Sequence, residues 1–137
     1  MLKFKNSEDH YGIIAIILHW IMAIMIIAIL GLGLYMTSLD LSPNKFKFYG
    51  WHKALGVIIL GLVMLRIMWK ITNISPSLPN NMTTKQKLLV KAGHIILYLF
   101  MILMPLSGWA MSSAAEFPVS VFGIFTMPSL IAPNQEL

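Results

Sequence analysis

Apolar residues fall in three long runs, at about 12–36, 49–69 and 88–111, with polar stretches between them. A spanning helix needs about 20 mainly apolar residues, so each run is long enough to cross a bilayer, the first with some tilt. The first run, GIIAIILHWIMAIMIIAILGLGLYM, holds His19 as its only ionisable interior residue. It is longer than the apolar region of a signal peptide, and no small-residue cleavage site flanked by soluble sequence follows it. The second, YGWHKALGVIILGLVMLRIMW, carries Lys53 and Arg66 near its ends and is bracketed by Tyr49, Trp51 and Trp69, which suit the membrane interface. The third contains Pro105, which predicts a kink and a freed carbonyl that a neighbouring helix must satisfy. The stretch from Thr37 to Phe48, with Pro43 and Asn44, reads as a loop, and ITNISPSLPNNMTTKQK as a polar connection. Beyond Met111, Pro118, Gly123, Pro128 and Pro133 break the pattern into an interfacial loop with room for one short helix. The expected fold is therefore all-α and integral to a membrane: a transmembrane helical bundle forming one domain over 1–137.

Composition agrees, with 58% hydrophobic and 11% charged residues among 137 and a mean hydropathy of +0.78. Little chain is left for a soluble module. The net charge of +5 does not point to nucleic acid, because Lys and Arg sit beside the apolar runs and not along one soluble face. They act as topology signals, and the partner they imply is lipid. Lys3 and Lys5 precede the first run, and Arg66, Lys70, Lys85, Lys87 and Lys91 border the second connection. The first connection and adjacent helix start hold only Lys45, Lys47 and Lys53, and the tail has no Lys or Arg. The positive-inside rule then places the amino terminus and second connection in the cytoplasm.

The chain has no cysteine, which excludes disulfides, iron–sulfur ligation and cysteine-ligated zinc and leaves histidine as the main candidate ligand. Ionisable residues inside a membrane are costly and so are functional candidates. His19 lies roughly 10 Å inside its span, with Ala15 and Ala23 one turn either side, a low surface that admits a flat macrocycle. A packing histidine bonded to a carbonyl is the competing reading. His52 lies about 5 Å inside the opposite end of its span, with Gly56 at i+4. It reads either as a second ligand or as an interfacial residue in contact with water. Together the two suggest a two-haem electron path, with sites roughly 15 Å apart along the membrane normal. His94 has Lys91 and Tyr98 as same-face neighbours, a poor floor for a porphyrin. It suits a hydrogen bond to a quinone head group or haem propionate, or to a neighbouring helix. Arg66 is a candidate for propionate pairing, or else a snorkelling interfacial cation. His10 reads as solvated, and the eleven methionines as apolar packing.

LHW in the first run, WHKALG opening the second, LRIMWK closing it and AGHIILYLFMILMPLSGW in the third together closely resemble the prokaryotic cytochrome b561 family. The resemblance covers nearly the whole chain. It implies a bacterial inner-membrane bundle of four helices, of which three are present here. Such a bundle holds two b haems, with axial histidines from the first, second and fourth helices. On that pattern His19 ligates the cytoplasmic-side haem, His52 the outward-side haem, and His94 is a non-ligand near the quinone-reactive end. Both partner histidines are expected beyond Leu137, so the resemblance implies a fragment. The implied function is electron exchange between ubiquinone or a similar quinone and a one-electron partner, superoxide for some members, as a carrier or quinone-linked oxidoreductase. A homodimer is left open. The alternative is a cytochrome b anchor subunit that passes electrons from a soluble dehydrogenase or hydrogenase. A small transporter would need a broken helix or paired midplane charges, and neither is evident in the sequence.

Overall fold

The computed structural model describes residues 3–134, so the last three residues of the expected interfacial segment lie outside the described residues. Three helices account for most of it: α1 (Ile13–Ser38), α2 (Pro43–Thr72) and α3 (Thr84–Ala114). At 26, 30 and 31 residues they are about 39 to 46 Å long, more than the ~30 Å hydrocarbon core. All three are long and apolar enough to cross a membrane.

Each helix outruns its apolar stretch, and capping chemistry explains the two largest extensions. The segment from Pro43 is helical, not a loop, because the Ser42 hydroxyl accepts a hydrogen bond from the Lys45 amide at 3.3 Å and Pro43 stands at the helix start with its φ already suited. Thr83 and Gln86 form a capping box, with reciprocal bonds of 3.3 and 2.8 Å, that starts α3 within the expected polar connection. The helix then runs unbroken through Pro105.

Four residues join α1 to α2, so the two run antiparallel as a tight pair. α2 is the central helix: α1 and α3 each pack against it, and among the described residues their backbones do not approach each other closely. The packed centre is Met22, Ile59 and Val63, bordered by Met25, Ile26 and Ile29 of α1 and by Tyr98, Met101 and Ile102 of α3. Large apolar side chains such as Ile24, Ile27, Leu34, Leu65, Leu99 and Leu103 point outward, as lipid-facing residues must.

The tail corrects the expected short helix. It forms a two-stranded antiparallel hairpin, β1 (Ser120–Val121) with β2 (Phe125–Thr126). Phe122 and Gly123 take φ values of 49° and 74° to turn the chain, a conformation a helix cannot accommodate. Val119 and Val121 are buried where the hairpin meets α2. The Trp109 indole N–H donates to the Pro128 carbonyl at 2.9 Å, and the Ser113 hydroxyl accepts from the Leu130 amide at 3.0 Å.

At the other end an N-terminal arm covers the start of α1. The Gly12 amide donates to Asn6 Oδ1 at 2.8 Å and the Ile13 amide to the Lys3 carbonyl at 3.0 Å, satisfying two of the donors that a helix start leaves free. A Cβ at Gly12 would overlap the backbone of Phe4 and Lys5. The arm is also tied to the α2–α3 connection, by Asn6 Nδ2 donating to the Ile74 carbonyl at 2.9 Å and the Ser77 amide to the Glu8 carbonyl at 3.2 Å.

Candidate functional site

The antiparallel pairing of α1 with α2 carries Arg66 back to the level of His19. A guanidinium nitrogen lies 3.0 Å from His19 Nδ1, and since arginine has only donors, the imidazole accepts. The His19 ring stands edge-on to Trp20, with centroids 5.6 Å apart. Arg66 also lies 5.7 Å from the centre of the Tyr98 ring on α3, and the Lys70 ammonium lies 5.1 Å from the same centre. One arginine thus joins all three helices. Its charge has no carboxylate nearby along the chain, because no Asp or Glu occurs between Asp40 and Glu116.

His94 is one turn before Tyr98 on α3. Its Nδ1 lies 2.8 Å from the Val90 carbonyl of its own helix, which can only accept, so Nδ1 carries the proton and the exposed Nε2 is left as the ring's other face. Arg66 therefore meets Tyr98, whereas His94 bonds within its own helix.

His52 sits in the α1–α2 seam near the opposite end. Its Nδ1 is buried without a hydrogen-bond partner. The space for the ring comes from Gly33 on α1, where a Cβ would stand 3.3 Å from His52 Cε1. Gly56, expected to leave open surface beside His52, instead packs towards Ile29, with 3.9 Å between a built Cβ and Ile29 Cδ1. The glycine that matters was not legible from His52's own helix, and its only sequence signal is the small-residue pair in GLGL.

Two stations thus lie along one seam. Fourteen residues separate His19 from Gly33 on α1, and fourteen separate His52 from Arg66 on α2. At 1.5 Å per residue the stations are about 21 Å apart, and fourteen residues is close to four whole turns, so both fall on one face of each helix. This exceeds the expected 15 Å because that figure takes a ~30 Å core along the membrane normal, whereas the ~21 Å is measured along helices whose apolar runs are themselves longer than about 30 Å. Among the described residues no three His, Cys, Asp or Glu side chains converge, so the histidines are separate stations and not one metal cluster.

The residues fit haem. Imidazole is a standard axial donor to haem iron, and His52 combines a buried unpartnered ring nitrogen with a glycine across the seam. Arg66 and Lys70, without neighbouring carboxylates, suit propionates. Three membrane-crossing helices with histidines at separate levels suit a multi-pass membrane protein that holds haem.

This chain belongs to the prokaryotic cytochrome b561 family, whose model matches residues 10–135. Cytochrome b561 homolog 2 of Escherichia coli (strain K12) is 30% identical over 132 residues, covering 96% of this chain and 70% of that protein. The protein is therefore a membrane haem protein of electron transfer, and haem b is the family's cofactor.

Proposed function

We propose that this cytochrome carries electrons between the quinone pool and a one-electron partner, superoxide being one, through two b haems, with His19 an axial ligand of the cytoplasmic-side haem and His52 of the outward-side haem. The observation that carries the reading is the pair of histidine stations about 21 Å apart on one seam. When bound, haem supplies one-electron steps between ferrous and ferric iron. The chain's residues do the rest. Arg66 and Lys70 hold propionate charge, and Gly33 leaves the room that the His52 ring occupies. The bond to Val90 fixes the His94 ring with Nε2 outward, where it accepts a proton from a quinol hydroxyl.

His94→Ala is expected to slow haem reduction by ubiquinol in proteoliposomes by about 10²-fold, the usual contribution of a positioned base, while dithionite-reducible haem stays constant. An unchanged ubiquinol rate would remove His94 from the quinone site.

Orientation follows from the shared end of the arm and the α2–α3 connection, where Lys3, Lys5, Lys70, Lys85, Lys87 and Lys91 gather. Reporter fusions near Asn80 should read cytoplasmic and fusions after Leu41 outside. A cytoplasmic signal at Leu41 reverses the faces given to the two haems.

A further inference from the structure

A neutral imidazole has one nitrogen lone pair to give, and at His19 that lone pair is engaged. The guanidinium of Arg66 offers only N–H groups and stays protonated, so at 3.0 Å from Nδ1 it donates, and the ring proton belongs on Nε2. Iron needs the same lone pair. Ligation through Nε2 moves the proton to Nδ1, setting an imidazole N–H against a guanidinium N–H. Ligation through Nδ1 puts the iron where the guanidinium lies. Either way the bond to Arg66 and the bond to iron exclude each other. His94 provides the contrast, since its Nδ1 proton is held by the Val90 carbonyl and no arginine contacts the ring.

We propose that Arg66 competes with haem iron for the lone pair of His19, and so controls when this histidine becomes a ligand. The inference rests on the reading of His19 as an axial ligand. Arg66 has another place to go: it already faces the Tyr98 ring, where Lys70 lies 5.1 Å from the ring centre. Like charges one turn apart on a helix repel, and no carboxylate in the stretch between Asp40 and Glu116 relieves them. A haem propionate held by Arg66 and Lys70 beside Tyr98 would draw the guanidinium off His19 and leave the imidazole lone pair free for iron. Arg66 is thus a positioning residue that acts through His19.

The test uses the full chain in nanodiscs, labelled with ¹⁵N-histidine and stripped of haem, with the His19 signals identified by their loss in His19→Gln. Histidine nitrogen shifts distinguish the tautomers without any haem. The wild type is expected to carry the His19 proton on Nε2, and Arg66→Met to give a mixture of tautomers. Stopped-flow addition of haemin dimethyl ester, which carries no propionate charge for Arg66 to bind, should show association with Arg66→Met about fivefold faster than with the wild type, the factor for one hydrogen bond of ~1 kcal/mol. A His19 proton on Nδ1 in the wild type overturns the proposal, as does a wild-type association rate in Arg66→Met. Should Arg66→Met not accumulate, Arg66→Lys takes its place, because the shorter side chain keeps the charge without the fork. His19→Gln separates the two ideas. If it binds as much haem as the wild type, the ligand reading fails. If it loses one haem while Arg66→Met changes neither tautomer nor rate, only the competition fails.

Discussion

In the protein with both axial pairs complete, His19→Ala is expected to halve the haem bound, and His52→Ala to remove the other half. The stations are about 21 Å apart along the seam and share no side-chain partner, beyond the range at which substitutions usually couple. Each loss should therefore be independent, and the haem that remains should keep its own reduced spectrum and potential. The His19 variant also leaves the half-buried Arg66 without its imidazole partner, beside the Tyr98 ring. The His52 variant leaves a void in the α1–α2 seam beside Gly33. Haem-to-protein ratio and low-temperature reduced spectra check both. A variant that binds the full complement with unaltered spectra shows that its histidine is no ligand.

Gly33→Leu is expected to remove the His52-side haem nearly as completely as loss of His52 itself, although Gly33 bears no donor atom. A methyl group there would already stand 3.3 Å from His52 Cε1, so alanine asks for a few tenths of an ångström and should retain most of the haem. Leucine cannot be accommodated in that way and must push the ring or the helix aside, at a typical overpacking cost of about 1–3 kcal/mol. Gly31 is the matched control: it lies two residues earlier on the same helix, and a Cβ there meets nothing within 4 Å. Gly31→Leu should insert and bind haem as the wild type does. If Gly33→Leu keeps both haems, the seam at Gly33 does not define the ring's position.

The spans were legible because a bilayer demands a long apolar run and the three runs have few rivals in the chain. Their ends were less so. Ser42 with Pro43 and Thr83 with Gln86 are capping signals written in the sequence, yet they sit outside the apolar runs and read as loop when hydropathy sets the boundaries. The hairpin at Ser120–Thr126 was illegible for another reason: strands of two residues are too short for an alternating pattern. The candidate histidines and Arg66 stood out through the cost of placing polar groups in lipid. Which of them meet depends on the register between antiparallel helices. Nothing in the local pattern around Arg66 says that it faces His19, or around His52 that it faces Gly33. The likeness to the family supplied roles for the histidines but no contact between them.

The amino-terminal arm adds a tie at the end where that register brings His19 to Arg66. The arm grips the first amides of α1 through Asn6 and Lys3 and is held at its other side by Ile74 and Ser77 of the α2–α3 connection. It works as a brace between α1 and the far end of α2, and the brace has a fixed length. Sliding α1 by a single residue displaces it about 1.5 Å, enough to break the 3.0 Å contact between His19 and Arg66. Adding or removing one residue between Asn6 and Gly12 therefore mistunes a site on the next turns of the helix while leaving every residue of that site in place. An engineered tag belongs ahead of Lys3 or at the other terminus, never within the brace.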